Sequence, residues 1–146
     1  MHILFPDNPL DPAKVDPDFA DQADAATAAG LPWSLLSFEA LALENAPGRA
    51  VRRVPEDVGP CLYRGWMLKP AAYAALSAAL ARKGAALVVA PDAYEYAHHL
   101  PGWYPDFQAV TAQTVWTASA DPGAAREALR GLPDGPAVVK DYVCLL

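Results

Sequence analysis

Short apolar runs alternate with helical patterns along the first part of the chain, and this alternation is typical of an α/β domain. Residues 3–5 form an apolar run that ends in polar residues and prolines, and they predict a buried strand. Pro17, flanked by two aspartates, predicts the start of a helix, and Gly30 predicts its end. Residues 33–37 are a second apolar run. A strand, a helix and a strand in this order predict a βαβ unit with parallel strands.

The middle of the chain repeats this alternation. Residues 61–64 predict a third strand and residues 87–89 a fourth, with a helix between them that begins at Pro70 and ends at Gly84. Residues 50–54 predict an exposed edge strand or an arm. The strands are apolar without interruption, as in sheets that are covered by helices on both faces. The pattern therefore predicts a parallel sheet in a layered α/β fold.

The pattern changes after about residue 96. Residues 97–105 are rich in histidine, aromatic residues and proline, and they predict a loop. We expect one domain over residues 1–100 and a second over residues 101–146. Three further elements are predicted after this boundary: a strand over residues 114–117, a helix between Asp121 and Gly131, and a strand over residues 137–143.

Composition and charge narrow the function classes. Hydrophobic residues make up 53% of the 146 residues and charged residues 19%, which is typical of a globular protein. The net charge of −6 argues against general nucleic-acid binding, because phosphate backbones attract clustered Lys and Arg. The longest apolar helix, residues 71–81, is too short for a membrane span, and no secretory signal is visible. We therefore expect a cytoplasmic protein without a membrane segment, in which Cys61 and Cys144 are buried thiols.

Lys140 lies in the middle of the last predicted strand. A charge among buried apolar residues is unfavourable unless it has a partner. A strand lysine that projects into a cleft suits a phosphate, because its ammonium is a point charge on a flexible stem. The alternative is an edge strand in water, with Lys140 paired to Asp134 or Asp141. The residues alone leave both interpretations open.

Arg64 follows the third predicted strand. Ligands of doubly wound sheets bind beyond the carboxyl ends of the strands, where an arginine can hold a phosphate or a carboxylate. The alternative is that Arg64 stacks on Trp66 or Tyr63 and closes the edge of the sheet. Lys69 can join the same anion site or remain solvated. Neither GxGxxG nor GxxxxGK[ST] occurs, so dinucleotide oxidoreductases and P-loop enzymes are not indicated.

Five stretches of the chain resemble, in the same order, the ATP-grasp clade named for one arginine and two lysines. YRGWML and VVKDYV are the specific parts. The resemblance implies a Rossmann-like pre-ATP-grasp domain with a parallel sheet, followed by the truncated start of an ATP-grasp α+β domain. The five stretches are HILFP (residues 2–6), DPDFA (16–20), LYRGWML (62–68), WYP (103–105) and VVKDYV (138–143).

The resemblance also implies a chemistry. Members of this superfamily use ATP and Mg²⁺ to phosphorylate a carboxylate, and an amine or a similar nucleophile then displaces the phosphate from the acylphosphate. The substrate is expected to be a small carboxylate or a peptide. By the family pattern, Lys140 contacts the phosphates of ATP and Arg64 is the arginine of the front domain. With Lys69 beside them, these three are the expected cofactor-binding residues, while the catalytic residues stay unassigned.

This sequence departs from the family pattern in two ways. No lysine lies between Lys83 and Lys140, so the first phosphate-binding lysine of typical members is missing. The chain also ends at Leu146, before the adenine-binding linker and the acidic residues that hold Mg²⁺ in the family. We therefore expect the N-terminal part of a ligase, without metal ligands and not catalytically complete alone.

A non-enzymatic Rossmann-like binding or interaction module, or a truncated remnant, is the competing hypothesis. In either case the strand over residues 137–143 lacks its normal neighbours, and its backbone groups and apolar side chains would be exposed. We expect the residues after about 110 either to pack back on the first domain or to drive self-association.

Overall fold

The computed structural model describes residues 1–140, which fall into two compact units. The first unit spans Met1–Tyr94 and the second begins at Glu95, whereas the sequence predicts a boundary after residue 100. The elements of the first unit are β1 (His2–Asn8), β2 (Asp11–Val15), a 3₁₀ turn (Pro17–Phe19), α1 (Ala20–Ala28), β3 (Trp33–Leu36), α2 (Phe38–Ala42), α3 (Pro47–Ala50), β4 (Gly59–Tyr63), α4 (Pro70–Ala81) and β5 (Ala85–Leu87). Helix α5 (Pro91–His98) leads into the second unit, which contains α6 (Leu100–Phe107) and α7 (Pro122–Leu129).

A five-stranded sheet forms the centre of the first unit. Its parallel strands have the order β3-β1-β4-β5. Strand β2 is antiparallel to β1, so the sheet is mixed and not wholly parallel as predicted. It lies on the same edge of β1 as β4, because the carbonyl oxygen of Leu4 accepts from Arg64 and that of Pro6 accepts from Asp16, the residue after β2. The α/β class is confirmed.

Both faces of the sheet are covered, as the apolar strands predict. Side chains alternate along β1, so Ile3 and Phe5 face one side while Leu4 faces the other. Ile3 and Phe5 pack with Phe19 and with residues of α1. Leu4 packs in a larger cluster that contains residues of α2, α3 and α4. This two-sided cover is the architecture of a doubly wound fold.

The predicted helix ends in the first unit are confirmed. The side chain of Asp16 accepts a hydrogen bond from the backbone N–H of Asp18 at 2.9 Å and so caps the 3₁₀ turn before α1. Gly30 and Gly84 follow α1 and α4 with φ of +66° and +69°, a backbone conformation that side chains disfavour.

Two predictions in the first unit are wrong. Strand β1 does not end at Pro6 but continues to Asn8 and turns into β2. The missing N–H of Pro6 is tolerated because the pairing of β4 with β1 ends at Leu4. Residues 50–54 form the end of α3 and a turn, not an edge strand. Val51 and Val54 are both buried in the core, and their spacing of three suits a helical turn.

The second unit differs more from the sequence prediction. The predicted loop over residues 97–105 is largely helical, with the end of α5 and most of α6. The predicted strand over residues 114–117 does not form, and neither does the described part of the last strand, residues 137–140. An apolar run becomes a strand only where a neighbour completes its hydrogen bonds, and the run alone does not reveal that neighbour. Residues 141–143 lie outside the described part.

The helix predicted between Asp121 and Gly131 is confirmed as α7. Its first turn is capped by Asp121, whose side chain accepts from the backbone N–H of Ala124 at 2.9 Å. Across residues 1–140, no helix combines the length and the apolar character that a membrane span requires.

Candidate functional site

The carboxyl ends of β1 and β4 form the topological switch point of the sheet. Strand β1 is followed by α1 on one face, whereas β4 and β5 are joined by α4 on the other. Where the chain leaves two neighbouring strands toward opposite faces of the sheet, a crevice forms at the carboxyl ends of those strands. Ligands of open α/β sheets bind in this crevice. The residues directly after β1 and β4 therefore define the first candidate site.

Arg64 is the first residue after β4 and is exposed. Its backbone N–H donates to the carbonyl oxygen of Leu4 at 2.9 Å, which ties it to the end of the sheet. Its side-chain Nε–H donates to Oε1 of Gln22, a residue of α1, at 2.8 Å. The two terminal nitrogens of Arg64 take part in none of the ion pairs described for residues 1–140. These two nitrogens are the pair that binds a carboxylate or a phosphate.

The segment after Arg64 is held closely by its neighbours. A Cβ atom at Gly65 would lie 2.7 Å from the hydroxyl oxygen of Tyr63, so only glycine fits over that ring. The Tyr63 hydroxyl donates to the carbonyl oxygen of Trp66 at 2.5 Å. The indole N–H of Trp66 donates to Oδ2 of Asp16 at 3.0 Å, and its ring packs edge-on with that of Phe19.

Tyr94 holds the far end of the same segment. Its hydroxyl oxygen accepts from the backbone N–H of Leu68 at 2.9 Å and lies 3.2 Å from the carbonyl oxygen of the same residue. Its ring stacks on that of Tyr73 with centroids 3.7 Å apart. Burial raises the pKa of Tyr63 and Tyr94, and it raises the pKa of Tyr73 to about 12, so all three are neutral hydrogen-bond donors at physiological pH.

Lys69 closes this segment as the N-cap residue of α4. Its carbonyl oxygen accepts from Tyr73 at 3.0 Å in the first turn, and its side chain is exposed. Arg64 and Lys69 thus lie at the two ends of one ordered segment, residues 64–69, at the carboxyl end of β4. The structure places both basic residues of the predicted anion site on this segment.

Asp7 lies at the end of β1, and its side chain is only 4% exposed. Its Oδ2 pairs with the terminal nitrogen Nη2 of Arg53, whose Nη1 donates to the carbonyl oxygen of Pro12 in β2. Its Oδ1 is buried without a hydrogen-bond partner, which is unfavourable by about 1–3 kcal/mol or more for a charged group. Arg53 therefore joins both strands of the hairpin to the turn after α3.

Lys140 does not lie in a buried strand, so the argument that burial gives it a phosphate partner is wrong. It is exposed, and the neighbouring Val138 and Val139 are 91% and 80% exposed. It does line a groove of about 930 Å³ within the second unit, together with residues of α7 and of the segment before it. Among the residues up to 140 that line it, Lys140 is the one charged residue. Pockets of this size that are mostly apolar with a few polar groups are typical ligand sites.

A magnesium site is not supported by residues 1–140. Within this part of the chain, no group of three or more His, Cys, Asp or Glu side chains is placed to hold a metal ion. The residues that fit the expected cofactor are therefore those that suit the anionic part of ATP, Arg64, Lys69 and Lys140.

Sequence reasoning singled out Arg64 and Lys69 as candidates but not Asp7, Arg53 and Tyr94. Asp7 follows Pro6, and this pair was interpreted as the end of the strand. Arg53 is adjacent to another arginine in a segment predicted to be solvated. The spacing of Tyr94 from Leu68 in the sequence gives no sign of their contact, which depends on the return of α5 to the end of β4. The chain matches no protein-family model, no curated protein and no solved structure.

Proposed function

We propose that this chain is the ligand-binding front part of an ATP-dependent carboxylate–amine ligase, in which Arg64 holds an anionic group. The observation that carries the proposal is the position of Arg64 at the topological switch point, with its Nε engaged by Gln22. A guanidinium that is fixed through Nε presents its terminal nitrogens as a fork, which matches a carboxylate or a phosphate.

The order of the YRGWML and VVKDYV motifs supports the ligase within the wider class of anion-binding proteins. In the proposed function Lys140 neutralises phosphate oxygens of ATP in the groove of the second unit. The groove supports this role by its apolar walls, which include Trp116, and by the positive charge of Lys140, the one charged side chain among its described lining residues. Lys69 contributes a further positive charge beside the Arg64 segment. Acylphosphate chemistry would follow only where Mg²⁺ and its ligands are supplied.

The test is isothermal titration of the whole chain with ATP and, separately, with citrate as a carboxylate probe. Arg64→Ala is expected to weaken at least one of the two by about 1–3 kcal/mol, the scale of a charge-assisted hydrogen bond. Lys140→Ala is expected to weaken ATP by a similar amount. Arg82→Ala is the matched control, because Arg82 is an exposed arginine at the opposite end of α4.

The outcomes separate the two hypotheses. ATP binding that depends on both Arg64 and Lys140 supports the ligase. Citrate binding that depends on Arg64, with no ATP binding, favours the non-enzymatic binding module. Equal affinities of wild type and Arg64→Ala for both probes would remove Arg64, and with it the basis of the proposal.

A further inference from the structure

Asp7 is the one described polar group at the switch point that is deeply buried and incompletely bonded. Its carboxylate has two oxygens, and only Oδ2 is engaged, by Arg53. Oδ1 has no hydrogen-bond partner among residues 1–140. Buried polar groups in native proteins are nearly always paired, and an exception beside the switch point of the sheet points to a partner that binds there.

The position of Asp7 is that of a ligand residue in this architecture. It is the last residue but one of β1, the strand at the switch point, and β2 continues the edge of β1 beyond β4. The pairing of β1 with β2 is irregular between Asp7 and Asn8, and residues 12–14 of β2 are exposed. The strand that pairs with Asp7 in this hairpin is thus short and weakly paired.

We infer that Asp7 Oδ1 is the acceptor of a subsite for a primary alkylammonium, the protonated form of the amine that becomes the nucleophile of the ligation once it has lost a proton. That this amine is the nucleophile rests on the proposed function, whereas its binding at Asp7 does not. A carboxylate oxygen can only accept hydrogen bonds, and an alkylammonium offers three donors and a complementary charge. A carboxylate oxygen has no proton to donate to an anionic group, and no group of three or more metal-ligating side chains forms among residues 1–140.

Access to this oxygen requires the hairpin to move. The Arg53 guanidinium fastens β2 through the carbonyl oxygen of Pro12 and fastens β1 through Asp7. One side chain makes both contacts. We therefore expect the amine to enter when the hydrogen bond from Arg53 to Pro12 in β2 breaks while the contact of Arg53 with Asp7 persists. The short exposed strand is therefore the cover of the subsite.

The experiment is an amide-detected NMR titration of the whole chain with methylammonium chloride, without ATP. Saturable shifts are expected at Asp7, Asn8 and Asp16, with millimolar affinity on the order of small charged fragments. Tetramethylammonium is the matched control, because it carries the same charge but no N–H donor. Ethylene glycol distinguishes a hydroxyl site from an amine site.

Asp7→Asn is expected to weaken methylammonium by about tenfold or more, since it removes the charge and keeps the shape. If that variant fails to fold, the wild-type titration still decides. Equal shifts with tetramethylammonium, stronger shifts with ethylene glycol, or no saturable shift at the three residues would each overturn the inference. Failure of the proposed function appears elsewhere, as ATP and citrate affinities that ignore Arg64.

Discussion

The contact between Tyr94 and Leu68 gives the sharpest prediction, because one hydroxyl satisfies two groups of the same buried residue. Tyr94→Phe removes the hydroxyl and keeps the ring that stacks on Tyr73. The backbone N–H of Leu68 then loses its partner at 2.9 Å in a residue that is only 1% exposed. An unsatisfied buried donor is unfavourable by about 1–3 kcal/mol.

The second contact of this hydroxyl adds to the loss. The carbonyl oxygen of Leu68 lies 3.2 Å away, a longer and weaker hydrogen bond worth about 0.5–1 kcal/mol. We therefore expect Tyr94→Phe to lower the free energy of unfolding by about 2–3 kcal/mol. Tyr73→Phe is the matched control, because its hydroxyl donates at 3.0 Å to the carbonyl oxygen of Val89, a 40% exposed residue that water can reach. Its loss is expected to stay below about 1 kcal/mol.

The assay is urea unfolding followed by circular dichroism, with the midpoint compared at unchanged slope. The reasoning predicts the larger loss for Tyr94→Phe, and it also predicts weaker citrate binding by that variant at temperatures where both are folded, since residues 64–69 carry Arg64. Equal losses for the two variants would contradict the reasoning, because they would show that the hydroxyl of Tyr94 stabilises residues 64–69 no more than the hydroxyl of Tyr73 stabilises its own contact.

Two further predictions concern the packing of the sheet ends. Burial lowers the pKa of His2 below its usual value near 6.5, with a smaller contribution from the chain's amino terminus, and its Nε2 lies 2.8 Å from Ser34 Oγ. The unfolded chain therefore binds this proton more readily, so stability falls as pH drops below about 6.5, and urea unfolding of His2→Asn should show less of that fall. Gly65→Ala places a Cβ against Tyr63 and should lower the stability of the fold by about 1–3 kcal/mol. Gly48→Ala is the control, because a Cβ at Gly48 has open space around it and should not lower the stability. Equal melting temperatures of the two variants would contradict the predicted crowding at Gly65.

The sequence predicts most of the first unit because its elements carry local signals. Helix α4 begins at a proline and ends at a glycine with positive φ, and α1 follows a capping aspartate, so each boundary is specified by nearby residues. The apolar strands likewise report a sheet covered on both faces. The failures in this unit are nonlocal: β2 forms because β1 offers an edge, and no pattern within residues 11–15 announces it.

The second unit shows the limit of periodicity. Residues 97–105 contain two prolines and two histidines, which favour a loop. Helix α6 nevertheless accommodates Pro101 in its first turn, where the missing N–H has no helical partner to lose. The apolar run before Lys140 fits a strand or an exposed extended segment equally well. Only a neighbouring strand decides between them, and residues 137–140 have none in the described structure.

The two basic residues that carry the predicted site now rest on different physical grounds. The prediction for Arg64 follows from the topology of the sheet. That topology depends on the order of several clearly predicted strands and helices, so a small error in the bounds of one of them does not move Arg64 away from the end of β4. The role of Lys140 rests on the family pattern and on the expected burial of one short run, and the exposure of that run removes the energetic reason for a bound counter-charge. Its role depends instead on the groove around it, in which Lys140 is the one charged side chain among the described lining residues and can attract an anion. The ATP titration of Lys140→Ala is therefore the more demanding half of the test, because a solvated lysine would leave the affinity unchanged while Arg64 still bound its anion.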